Sequence, residues 1–194
     1  MVLLSGCELP NLFDKPDEVT IVDPNTVYVQ GLSFARAPGF QEVKAADLVN
    51  GAQADADAQK YAASLGMDKA AFIRLMSSYD LYLIDRKVKR AYPDNISVSS
   101  PGGAMPDDKA LASQFAAIGA TRVDVDHVKT DLGEVTTATF MLRVGRRAAY
   151  GEVILVDHHG PVVITASSSK PKGATKLAKQ ILDSLEASAS PFAD

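Results

Sequence analysis

Three groups of side chains in this chain have the types and spacing to do chemistry. The first combines imidazole with carboxylate: Asp157, His158 and His159 form one run, and Asp124, Asp126 and His127 form another. Imidazole nitrogens and carboxylate oxygens are common zinc and manganese ligands. On a strand, however, neighbouring residues point to opposite faces. Asp124 and Asp126 then share a face, His127 points away with Val123 and Val125, and His158 and His159 converge only from a turn. The pattern reads as a polar hairpin turn and a solvated strand face, and no metal site is expected. The second group is the hydroxyl run Ser167, Ser168 and Ser169. None lies in the Gly-x-Ser-x-Gly elbow that exposes a nucleophile, and Cys7 has no fixed histidine partner near it. No catalytic residue is expected, and the chain reads as a non-enzyme without a cofactor.

The third group is cationic. Lys170, Lys172, Lys176 and Lys179 gather about the start of a helix, and Lys172-Gly173-Ala174-Thr175-Lys176 lacks the Walker spacing of a phosphate loop. These lysines read as a solvated helix face able to meet a partner or an anionic surface, a contact that salt would weaken. Lys87, Lys89 and Arg90 form a smaller basic loop with the same reading.

The elements that must position these groups follow from hydrophobic period and punctuation. Thr26–Gln30 and Leu32–Ala37 read as strands around Gly31, and Phe40 as an irregular entry to the next element. Ala54–Leu65 reads as a helix ended by Gly66, and Asp68 as the cap of a second helix bearing Phe72, Leu75, Met76 and Tyr79. Asp80–Asp85 and Asn95–Ser99 read as strands. A helix follows from Pro106, with Asp107 and Asp108 in its first turn. Arg122–Val128, Glu134–Arg143, Ala148–Val156 and Val162–Ala166 read as strands, and Ala174–Ala187 as the last helix. This order predicts an α+β fold: an antiparallel meander sheet sandwiched by helices.

Composition agrees with one core. The 194 residues are 46% hydrophobic and 23% charged, with no tryptophan. The formal net charge of -4 argues against nucleic acid, whose phosphates need a basic face. No apolar run approaches the ~20 residues of a spanning helix.

The only cysteine closes the string Leu4-Ser5-Gly6-Cys7. That string resembles a bacterial lipobox, in which a peptidase cuts before a cysteine whose sulfur carries a diacylglycerol. A secretory signal also has a basic n-region and about 7–15 apolar residues. Six residues precede Cys7 and none is basic, so either the start codon lies upstream of Met1, or the leader has been trimmed, or the match is chance. The lipobox expectation divides the chain into residues 1–7 as a truncated signal, 8–25 as a flexible tether, 26–187 as a single domain and 188–194 as a tail. The address is then the outer face of a membrane in the cell envelope, with lipid on Cys7. If the string is chance, the address is cytoplasmic.

Three further segments carry a family resemblance. Gly31-Leu32-Ser33-Phe34-Ala35-Arg36-Ala37-Pro38-Gly39-Phe40 is similar to the opening strand and Pro-Gly-aromatic turn of the PsbP-like (Mog-type) α/β/α domain. Asp94-Asn95-Ile96-Ser97-Val98 resembles the strand before that domain's middle helix, and Glu152 to Ile164 its closing hairpin. The likeness is to small bacterial envelope lipoproteins of the LpqN-like kind and spans roughly residues 26 to 187. It implies a binding or assembly module for an unknown envelope protein or cell-wall component. The competing expectation is a carrier or chaperone for a small hydrophobic ligand, held between helices and sheet by Phe72, Leu75, Met76 and Tyr79, with Met67 beside them.

Overall fold

The computed structural model describes residues 23–48, 52–85, 92–144 and 147–188. Cys7, most of the tether, and the basic residues Lys87, Lys89 and Arg90 lie outside the described residues. In chain order the strands are β1 Thr26–Val29, β2 Leu32–Ala35, β3 Phe40–Glu42, β4 Leu81–Asp85, β5 Asn95–Ser99, β6 Thr121–Thr130, β7 Gly133–Val144, β8 Arg147–Asp157, β9 Pro161–Ser168 and β10 Glu186–Ala187. The helices are α1 Ala52–Ser64, α2 Lys69–Met76, α3 Asp108–Ala117 and α4 Pro171–Leu182. The chain is α+β, and every strand pair in it is antiparallel.

The helix starts follow from local chemistry. Asp68 and Asp107 sit at the N-caps of α2 and α3, each accepting a hydrogen bond at 2.7 Å from the amide three residues on. Pro171 opens α4, where its missing N–H costs nothing and its fixed φ suits the helix.

Seven strands form the main sheet in the order β3-β4-β5-β9-β8-β7-β6. It is therefore two meanders, β3–β5 and β6–β9, joined where β5 pairs with β9, with α3 in the connection between them. One face carries Leu83, Ile96, Ile154 and Ile164 against α4 and against the β1–β2 hairpin. The other face is divided between two helical layers. Tyr82 and Ile84 pack with α1 and α2, while Ala138, Phe140 and Val153 pack with α3.

Three expectations are corrected. Phe40 begins a strand, because its residue pairs with Asp85 at the sheet edge. The hairpin β1–β2 belongs to a second, three-stranded sheet with the order β1-β2-β10. The last helix stops at Leu182 and does not run to Ala187. The Ser184 hydroxyl accepts the Ala35 amide at 2.9 Å and donates to the Gln180 carbonyl at 2.8 Å. From there Glu186 and Ala187 pair with Ser33 and Leu32. A helix-compatible sequence is drawn into strand by the unpaired edge of β2, which offers hydrogen bonds that a frayed last turn lacks.

Candidate ligand cavity

The divided face of the main sheet leaves a gap between its helical layers. α1 and α2 cover the β3–β4 side and α3 covers the β6–β8 side, so the centre of the face is roofed by neither. A cavity of about 620 Å³ occupies this gap, within the usual range for small-molecule sites.

Cross-strand register makes its floor two-sided. Asn95, Ser167, Gly151 and Phe140 form one row across β5, β9, β8 and β7, and Ser97, Thr165, Val153 and Ala138 form the next. The β5–β9 half therefore presents hydroxyl and amide groups, and the β8–β7 half is hydrocarbon. Tyr82 extends the Ser97 row onto β4, and Tyr79 and Tyr92 also line the cavity. The Tyr79 and Tyr82 rings stack at 5.8 Å with 16° between planes. Burial pushes both phenols above their usual range, far above it for Tyr82, where Tyr92, Tyr79 and Tyr61 add to the effect. A hydrogen bond with Ser97 partly opposes the shift at Tyr79. Both tyrosines stay neutral at physiological pH and keep a hydroxyl proton to donate. No charged side chain lines the cavity among the described residues.

The apolar half depends on a missing side chain. The Phe140 ring lies directly over the α-carbon of Gly151, its cross-strand partner, in the space a Cβ would fill. Phe115 of α3 stacks on Phe140 with centroids 4.7 Å apart. Helix, ring and bare backbone thus form one stack that sets how closely α3 approaches the sheet.

Of the residues expected to line a pocket, Leu75 and Tyr79 do so, with Met67 beside them. Phe72 and Met76 do not. They are buried to 0% and 4% exposure in the core between α1, α2 and the sheet. The helical stripe was legible, but which of its members meets packed core and which meets open space depends on where α3 sits. Asn95, Ser97, Thr165 and Ser167 were missed. Their signal was present, as polar residues recurring every second position in strands otherwise apolar on both faces.

The other candidate groups disperse. The β6–β7 register puts His127 opposite Thr136 on the α3 side, one face away from Asp124 and Asp126. Its Nε2 is 3.3 Å from Asp108 in the first turn of α3, and its Nδ1 is 3.9 Å from Glu134. His158 and His159 occupy the β8–β9 turn with ring centroids 4.6 Å apart, and His158 abuts Gly31. Among the described residues no group of three or more His, Cys, Asp and Glu side chains is placed to hold a metal ion. Ser168 is fully buried. Its hydroxyl donates to Asp94 at 2.7 Å and accepts from the Lys170 amide at 3.1 Å, fixing the start of α4. Gly173 admits this contact, since a Cβ there would strike the Ser168 hydroxyl. Lys170, Lys172, Lys176 and Lys179 are exposed about α4, but Lys179 is paired with Asp183 at 2.7 Å.

The chain matches no family model and no curated protein.

What distinguishes this site is therefore its own geometry. It offers volume, a hydrocarbon wall, and a strip of neutral donors and acceptors.

Proposed function

We propose that this domain is a non-enzymatic carrier of a small apolar ligand bearing an uncharged polar group. The observation that carries the reading is the cavity of about 620 Å³, with no charged residue in its lining among the described residues and a strip of amide and hydroxyl groups on the β5–β9 side of its floor. Hydrocarbon of the ligand would lie over Val153, Phe140 and Leu142, and its polar group would face Asn95, Ser97 and Thr165. A charged group in that place would be desolvated with no counter-charge to meet it. The PsbP-like resemblance and a lipid on Cys7 belong to the same proposal, and together they put the carrier on the outer face of a membrane in the cell envelope.

The test is native mass spectrometry of the full chain, paired with titration of a solvatochromic apolar dye. A co-purified neutral mass, or saturable dye binding lost in Val163→Trp, is the expected result. A clean apo mass with no saturable dye binding would sink the reading.

A second reading, a module for an envelope protein or cell-wall partner, is favoured by the exposure of Lys170, Lys172 and Lys176 on α4. It predicts specific crosslinks that disappear when those three lysines are changed to glutamate.

A further inference from the structure

The strand register fixes which residues share an end of the main sheet. Tyr150, near the start of β8, stands beside Ser168, the last residue of β9; Asn95, the first of β5, stands beside Ser167. Thr121 at the start of β6 is opposite Met141 near the end of β7. One end thus gathers the close of β7, the opening of β6 and β8, and the first turn of α4.

Charge follows this division. Arg122, Arg143, Arg147, Lys170 and Lys172 are all exposed at that end, and among the described residues none is in an ion pair. Arg122 is thrown outward by the irregularity in β6, with φ at +56°. The carboxylates nearby, Asp85 and Asp94, are engaged, Asp94 by Ser168. The opposite end carries the exposed Asp107, Asp108, Asp131, Glu134 and Asp157 against Lys109 and Lys129. A net charge of -4 therefore conceals an uneven distribution of charge between the two ends. Ile118 also belongs to the cationic end, because α3 leads through it and Gly119 into β6. It is 62% exposed, the one large hydrophobic so exposed among the described residues, and it lines the cavity.

We propose that this end docks on a lipid bilayer containing anionic phospholipid, its five unpaired cations on the headgroups and Ile118 in the interface. The cations come from four separate elements, β6, β7, β8 and α4, at the end of the sheet that also carries Ile118. The core of a protein interface is built on a contiguous apolar patch, whereas among the described residues Ile118 is the single large hydrophobic side chain so exposed. A charged surface needs only cations pointing one way, each Lys or Arg strengthening binding about fivefold. Ile118 is also a wall residue of the cavity, so the docked orientation would bring that wall toward the bilayer. The docking itself stands on charge placement and does not require the cavity to hold a ligand.

The test uses the full chain carrying Cys7→Ser, so that no lipid anchor contributes. It is sedimented with vesicles of phosphatidylcholine alone, or of three parts phosphatidylcholine to one part phosphatidylglycerol. The expected result is binding to the anionic vesicles only, reversed by salt. Arg143→Gln with Arg147→Gln should weaken it roughly 25-fold at two cations removed. Lys109→Gln with Lys129→Gln removes the same charge from the other end and should leave binding nearly unchanged. Lys170→Gln with Lys172→Gln is the second probe of the docking end, checked like the others for an unchanged melting temperature. The proposal is overturned by equal losses from both ends, by equal binding to neutral vesicles, or by no vesicle binding. The last result combined with capture by polyglutamate would assign the surface to an acidic protein instead.

Discussion

Phe140 and Gly151 are cross-strand partners in which the aromatic ring occupies the place of the absent Cβ. Large and bare residues so paired let a ring lie flat on the sheet, and here the flat ring gives Phe115 a surface to stack on. The relationship decides the height of α3 above the sheet and hence the depth of the cavity. Gly151→Ala forces the ring aside in a packed layer and should cost about 1–3 kcal/mol. Phe140→Ala should cost about 3–5 kcal/mol by itself. The double variant should be little worse than Phe140→Ala, because the clash has gone. Chemical denaturation of the four proteins measures that coupling, and strict additivity would refute it.

The junction of β9 with α4 rests on Ser168, which satisfies both Asp94 and the Lys170 amide from a buried position. Ser168→Ala removes one hydrogen bond from the Asp94 carboxylate and one from the Lys170 amide, at a cost of about 1.5–3 kcal/mol. Hydrogen exchange should report the loss first in the amides of the first turn of α4. An unchanged melting temperature would show that water replaces the hydroxyl without penalty.

Glu152 is a buried carboxylate beneath α4, with one oxygen lacking a hydrogen-bond partner. Burial raises its pKa, and a hydrogen bond with Thr175 opposes the rise. The folded value lies above the unfolded one, so the native state favours the protonated form. The resulting stabilisation is complete below the unfolded pKa and is lost as pH rises through the folded pKa. Glu152→Gln should therefore melt higher than wild type at neutral pH, with the gap closing as the medium is acidified through the carboxylate range. A gap that widens on acidification would contradict this.

Asp107 caps α3, one wall of the cavity, through the Ala110 amide. Asp107→Ala should cost about 1 kcal/mol, or roughly 2–4 °C in melting temperature for a chain of this size. If α3 frames a ligand site, the same variant should also release an apolar dye faster, which stopped-flow fluorescence would resolve.

The sequence alone determined the class and nearly every element. Period and punctuation located the strands to within a few residues, and Asp68 and Asp107 announced their helices because capping is a local contact. Spacing also showed that Asp124 and His127 face apart, since side-chain alternation is a property of one strand. Tertiary structure decided what depends on distant partners. Glu186 and Ala187 became strand because β2 had an open edge. Phe72 became core and Leu75 cavity wall because of where the helices came to rest. Arg122, the Arg143–Arg147 pair and Lys170, more than 20 residues from one another in the chain, became one surface because antiparallel register brings strand ends together. Local propensity cannot encode such outcomes: each is settled by hydrogen bonds and burial between segments whose meeting the chain reveals only when folded.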